Sequence, residues 1–216
     1  MRGKIQRIMN TASTPASLRA NITAAVATFQ TLTALEVPLT QAVELIAACL
    51  AGGGKLLLCG NGGSASDAAH LAGEFVGRFL KDRQPYPAIC LNESGTTLTC
   101  IGNDFHFDQI FARQVQAFGK KGDVLLVFTS SGNSRNVLLA LETAQQLGIP
   151  SIAFLGKGGG PTRGKASVEL LVPGDSGGGV SGGGGGGGGS TARIQEAHTL
   201  LYHTLCEMVE QRLGHG

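Results

Sequence analysis

Two stretches of helical spacing open the chain. Leu18, Ile22, Ala25 and Phe29 recur near one face, and Val43, Leu45, Ile46, Cys49 and Leu50 do the same further on. Together they predict N-terminal helices over residues 15–51, with Pro38 and Thr40 punctuating the gap between them. After Gly52-Gly53-Gly54, the run Lys55-Leu56-Leu57-Leu58-Cys59 is short, continuous and apolar, as suits a strand buried on both faces. Four more such runs follow, over residues 87–91, 124–129, 151–155 and 168–172, and most are separated by helical spacing, over 65–79, 108–118 and 136–147. A last helical segment over 191–213 carries Leu200, Leu201, Leu205 and Val209 and stops at Gly214.

Strand and helix in alternation predict an α/β fold, because right-handed crossovers cover both faces of a parallel sheet with helices. The expected architecture is a single three-layer αβα domain with N-terminal helices and a five-stranded parallel sheet of flavodoxin-like order. Its 216 residues fit one core better than two. Ligands of such sheets bind beyond the carboxyl ends of the strands, so the loops after Cys59, Leu91 and Phe128 become the places to look for chemistry.

Composition adds mostly exclusions. With 42% hydrophobic and 15% charged residues the balance is globular, and 5% aromatics with no Trp leave the core to Leu, Val, Ile and Ala. A formal charge of +2 supplies no field that would attract nucleic acid or an anionic membrane, so any anion must be bound locally. The five Cys, at 49, 59, 90, 100 and 206, include no C-x-x-C pair and lie mostly in apolar runs, which reads as reduced core thiols. No window is expected to span a membrane, no secretory signal is recognised at the N-terminus, and a cytoplasmic location is the default. Residues 174–190 change abruptly, with Gly at 177–179 and at 182–189, and predict a flexible connection before the last helix.

Three constellations carry candidate chemistry. Cys59-Gly60-Asn61-Gly62-Gly63-Ser64-Ala65-Ser66-Asp67 leaves a strand and enters a helix, where backbone N–H groups can face an anion. It has neither a Gly-Lys-Ser/Thr sequence nor G-x-G-x-x-G spacing, and a tight turn with Ser64 as helix cap is the alternative. Thr129-Ser130-Ser131-Gly132-Asn133-Ser134 repeats the arrangement after another strand, and two such turns on one parallel sheet point to a phosphate pocket. His70 and Glu74 are four apart on a helix, hence on one face, which suits two metal ligands, a base with its partner, or simply a solvated pair. On the last helix, Gln195 and His203 lie near a common face, whereas His198 is expected at a surface or interface rather than as a ligand.

Cys59 to Phe79, Ile101 to Ala117, Asp123 to Val137 and Arg193 to Glu207 resemble the sugar isomerase fold family and, within it, the phosphoheptose isomerases. The resemblance rests on the ordered occurrence of Gly-Asn-Gly-Gly-Ser, His70-x-x-x-Glu74, Gly102-Asn103-Asp104, Ser131-Gly132-Asn133-Ser134 and Arg193-Ile194-Gln195-Glu196. It implies phosphate binding at Ser64, Thr129, Ser131 and Ser134. It also implies Zn2+ held by His70, Glu74, Gln195 and His203, with proton transfer at Glu74 and His203. Further substrate contacts implied by the resemblance are Asn61, Gly62, Gly63, Arg78, Asn103, Asp104, Ser130 and Gln195, with Asp104 also placed among the catalytic residues. Two departures stand out: Ala192 occupies a position often acidic in members, and the Gly-rich connection is longer than usual.

The resemblance implies isomerisation of sedoheptulose 7-phosphate to D-glycero-D-manno-heptose 7-phosphate, the first step of nucleotide-activated heptose biosynthesis serving lipopolysaccharide, in a homotetramer with sites at subunit interfaces. One alternative is a non-enzymatic relative that binds DnaA and regulates replication initiation. Those proteins share the Gly-rich turn but lack the helical His and Glu. A phosphosugar-sensing domain would keep the phosphate turns without the metal set.

Overall fold

The computed structural model describes residues 17–173 and 190–215. Helix α1 (Leu18–Thr31) passes through a 3-10 turn at Leu32–Leu35 into α2 (Glu36–Ala51). Then follow β1 (Leu56–Gly60), α3 (Gly63–Val76), β2 (Ala88–Cys90), α4 (Gly95–Asp104), a 3-10 turn at Phe107–Gln109 and α5 (Ala112–Phe118). The chain continues through β3 (Val124–Thr129), α6 (Arg135–Gln146), β4 (Ser151–Leu155), a 3-10 segment at Lys157–Thr162, β5 (Val168–Leu171) and α7 (Thr191–Arg212). All strand pairings are parallel and the order is β2-β1-β3-β4-β5, as expected.

Alternation along each strand divides the core in two. Leu56, Leu58, Leu126 and Phe128 point to the side covered by α2, α3 and α7. Leu57, Cys59, Leu125 and Val127 point to the side covered by α5 and α6. Because both faces are covered, every residue of β1, β3 and β4 is buried, which is why these strands read as unbroken apolar runs. At the amino ends of the two central strands, Asp123 accepts from the backbone N–H of Lys55 (3.0 Å) and of Lys120 (2.9 Å) and pairs with both ammonium groups. Burial would raise this carboxyl, but the Lys55 and Lys120 hydrogen bonds outweigh it and leave it below its ordinary value.

Several boundaries differ from the sequence reading. Pro38 does not separate the N-terminal helices: it occupies the first turn of α2, where a missing N–H costs no helical hydrogen bond, and the break lies earlier at Leu32–Leu35. Helix α3 stops at Val76, short of 79, so Arg78 lies beyond its end. Helix α4 is unanticipated. The stretch Leu18–Ala51 does meet the length and hydropathy test for a membrane span, with a mean hydropathy of 1.5, contrary to the expectation. Its apolarity has another explanation in α2, where Leu39, Val43, Ile46 and Leu50 are packed into the core. The cysteines are free as expected, with Cys100 alone among them exposed. The Gly-rich connection falls, apart from Ser190, outside the described residues.

Candidate functional site

The topology reverses direction between β1 and β3, and the two Ser/Gly turns leave their adjoining carboxyl ends. Asn61 and Asn136 lock the turns together by a reciprocal amide pair, Asn61 Nδ2 donating to Asn136 Oδ1 (2.8 Å) and Asn136 Nδ2 to Asn61 Oδ1 (3.0 Å). Asn92, after β2, forms a second reciprocal pair with the backbone of Gly60, at 2.9 and 3.2 Å. The loop after β4 braces the other turn: Thr162 donates its hydroxyl to Gly132 O (2.7 Å). Gly132 has a φ of 67°, and an added Cβ would lie 1.8 Å from Gly159 O, so only glycine fits that approach.

Within this frame the hydroxyls divide. Thr129 Oγ1 accepts from Gly132 N (3.1 Å) and Ser131 Oγ from Asn133 N (3.2 Å), so both shape the turn. Among the described residues, no hydrogen bond engages the hydroxyls of Ser64, Ser130 or Ser134. Ser64 is not the cap of α3. Gly62, with a φ of 58°, takes that position, and Ser64 is a buried residue of the first turn. Free hydroxyls at the starts of two helices offer what a phosphate monoester requires: neutral donors reinforced by the positive helix ends.

Nearly two turns further along α3, His70 Nε2 lies 2.8 Å from Glu74 Oε1. His203 of α7 approaches edge-on, its ring centroid 5.1 Å from that of His70, and stacks on Phe79. Donor atoms of His70, Glu74 and His203 all fall within 4.8 Å of one another, a two-nitrogen, one-oxygen set of the kind zinc favours. Burial and the neighbouring His70 hold the His203 imidazole below its usual range despite the opposing Glu74 charge. Behind the triad, the buried Asp67 carboxyl is pushed up to about 6 by desolvation, with His70 opposing, and its Oδ2 has no partner among the described residues.

The predicted residues therefore separate by place. The Gln195 amide lies against Gly63, where an added Cβ would be 2.2 Å from its Nε2. That is at the first turn of α3, seven residues and about 10.5 Å along the helix from His70. Arg78 is exposed past the end of α3. Asn103 and Asp104 are exposed at the end of α4, where Asn103 donates to Asp104 (2.8 Å). None of these three is hydrogen-bonded to the turns or the triad. His198 corrects the expectation of a surface position: it is fully buried, bonded through Nε2 to Leu155 O (3.2 Å) and flanked by Phe128 and Phe154. Desolvation brings its imidazole down to about 4 against that hydrogen bond, so at neutral pH it is an uncharged core group. Asn136, Asn92 and Thr162 were not singled out in the sequence. Asn136 had a visible signal, two residues past Ser134 at a helix start, whereas the other two had none.

Comparison with known proteins gives this arrangement a context. The chain matches the SIS domain family over residues 20–156. A phosphoheptose isomerase from Clostridium acetobutylicum is 44% identical over 171 residues, 79% of this chain and 80% of that protein. One from Desulfovibrio desulfuricans is 49% identical over 168 residues, 78% and 73% of the two chains. Among solved structures, a phosphoheptose isomerase from Francisella tularensis superposes with a TM-score of 0.80 at 36% identity, covering 89% of this chain and 96% of that one.

Proposed function

This chain belongs to the phosphoheptose isomerases of the SIS domain family, and we propose that it converts sedoheptulose 7-phosphate to D-glycero-D-manno-heptose 7-phosphate through an enediol. The observation that carries the reading is the coexistence of two mutually pinned Ser/Gly turns with a His/Glu/His cluster one helical segment away. The relatives named above are phosphoheptose isomerases, and nothing among them favours the alternative of a DnaA-binding regulator. A purely sensing domain would have no use for the cluster.

The phosphate end of the substrate sits at the starts of α3 and α6, anchored by Ser64, Ser130 and Ser134 and by the first amides of α6. Thr129 and Ser131 hold the turn in shape. Fixing the chain at its phosphate orients the reacting carbons without touching them. Glu74 is the base that removes a proton from C1 of the ketose, and His203, kept uncharged by its surroundings, passes a proton at the neighbouring oxygen or carbon. His70, Glu74 and His203 are the residues that would hold zinc, whereas Gln195, lying against Gly63, serves the substrate rather than the metal. Bound there, the metal would supply Lewis-acid polarisation of the substrate oxygens. Asn61, Gly62 and Gly63 form the floor of the first turn, and Arg78, Asn103 and Asp104 are exposed positions for substrate contact in an assembled oligomer.

A homotetramer with shared sites fits two features. Those three residues face outward in a single chain, and α1 exposes an apolar stripe of Leu18, Ile22 and Val26, at 78%, 53% and 48%. A cytoplasmic place in heptose biosynthesis completes the proposal.

Incubation with sedoheptulose 7-phosphate and identification of the product by NMR tests the activity directly; an unchanged ketose refutes it. Protein prepared without chelators is expected to carry about one zinc per subunit, consistent with a single set of three protein donors that leaves a position open to substrate. Absence of tight zinc by elemental analysis, together with activity indifferent to added zinc, would remove the metal. Ser134→Ala is expected to weaken substrate binding while leaving thermal unfolding nearly unchanged, because its hydroxyl supports no bond within the described residues. Equal affinity in variant and parent, measured by calorimetry, would place the phosphate elsewhere.

A further inference from the structure

We infer that Tyr202, which no resemblance or comparison assigns, is the positioning residue that fixes the ring of His70 in either tautomer and thereby presents Nε2 to Glu74 and His203. This rests on the metal reading of the triad only for its final consequence. Tyr202 is 1% exposed, and its hydroxyl lies 2.9 Å from His70 Nδ1. Its ring is held by the core, edge-on to Phe128 at 6.1 Å and edge-on to His203 at 4.7 Å. The anchor is therefore fixed, whereas the His70 side chain it grips is half exposed.

Two hydrogen bonds define the tautomer in this structure. Carboxylate Glu74 accepts only, so at 2.8 Å the His70 Nε2 carries the proton and donates it. Nδ1 then offers a lone pair, and the Tyr202 O–H donates to it. A cation at the triad needs the lone pair on Nε2 instead, so the single imidazole proton must sit on Nδ1. A carboxylate behind the ring would favour that second form alone. A phenol serves both, because it is donor and acceptor: it donates to Nδ1 in the first form and accepts Nδ1–H in the second. In the second form the O–H proton is freed for another acceptor. The Thr199 side chain, which hydrogen-bonds Tyr202, is the neighbour able to take it. Partners behind a ligating His commonly change metal affinity by about 10–100-fold when removed.

The test uses Tyr202→Phe, which keeps the ring in the core and removes one oxygen. Long-range 15N–1H NMR of the full-length, zinc-free protein should show His70 as the Nε2–H tautomer in the parent, and its ring signals, sharp there, should broaden or split in the variant as the unanchored ring samples more than one orientation. Zinc affinity, read by competition with a chromophoric chelator, should fall about 10–100-fold, with thermal unfolding little changed. On zinc addition the parent His70 should convert to Nδ1–H. A parent His70 already in the Nδ1–H form without metal, or a variant with the same ring signals and the same zinc affinity, overturns the inference. A ring ordered in the parent and mobile in the variant, with no zinc bound by either, supports the positioning role while refuting the metal reading.

Discussion

Glu74→Gln is expected to lower turnover by at least about a hundredfold, the lower end of what a positioned acid or base contributes. Gln has the shape of Glu and still reaches His70, but it cannot accept a proton from carbon. The substitution leaves the phosphate turns untouched, since these are built from β1, β3 and the starts of α3 and α6. Substrate affinity should accordingly change far less than turnover. Exchange of the ketose C1 proton with deuterated water should fall in parallel, because exchange reports enolisation independently of product release. Zinc content must be followed on the same sample, as Glu74 is also placed to hold the metal. A zinc-loaded variant that exchanges the C1 proton at the parental rate would take the base role from Glu74 and leave His203 as its successor.

Arg83→Ala should be the most damaging single truncation for stability outside the apolar core, at about 3–5 kcal/mol, as for a buried pair that loses one partner. Arg83 and Glu210 are 1% and 4% exposed and meet at 2.7 Å. The guanidinium also donates to the carbonyls of Glu74 (2.7 Å) and Phe75 (3.0 Å), so it caps the end of α3. Glu210 in turn accepts from the N–H groups of Phe79 and Leu80, both at 3.2 Å. Removing the arginine leaves a buried carboxylate short of its cation and takes the guanidinium donor from the Glu74 carbonyl, while Phe75 O keeps the Tyr86 N–H (2.9 Å). Urea unfolding at fixed protein concentration measures the loss, and a change under about 1 kcal/mol would mean that water replaces the pair. The carboxyl adds a pH signature. Burial raises Glu210, but the Arg83 and backbone hydrogen bonds outweigh it and set it below its ordinary value. A depressed carboxyl stabilises fully above its unfolded-state value and loses that contribution as pH falls through the folded one. Glu210→Gln should therefore flatten the decline of stability on the acid side of the ordinary carboxyl range, measured by the same unfolding curves.

Much of this molecule is legible from its residues because the central strands are buried on both faces and so cannot hide their apolar runs. The two turns were legible for a different reason: Gly, Ser and Asn gathered at a strand's end break the strand and favour a turn. Helix α4 escaped because Gly95–Asp104 buries only Ile101 and owes its start to the Ser94 hydroxyl, which accepts from Thr97 N (3.1 Å), leaving no apolar stripe to read. Pro38 misled because proline ends helices only beyond their first turn. Arg83, Glu210, Thr162 and Tyr202 were invisible for a different reason: each acts across 30 to 132 positions of sequence, and spacing reports neighbours along the chain. His198 shows the reverse error. Its composition suggested a wet residue, and its position behind Phe128 and Phe154 made it a dry one.

Helix α7 supplies His203, Tyr202, Gln195 and Glu210, all within the last tenth of the chain or just before it, while their partners on α3 and the following loop are made more than a hundred residues earlier. During synthesis, which proceeds from the N-terminus, β1 to β5 emerge with only His70 and Glu74 in place of the triad. The nascent chain therefore carries two of the three donors. Completion of the donor set waits for the docking of α7, and if the cluster holds zinc as proposed, a chain arrested before Thr191 should be recovered without metal however much is supplied.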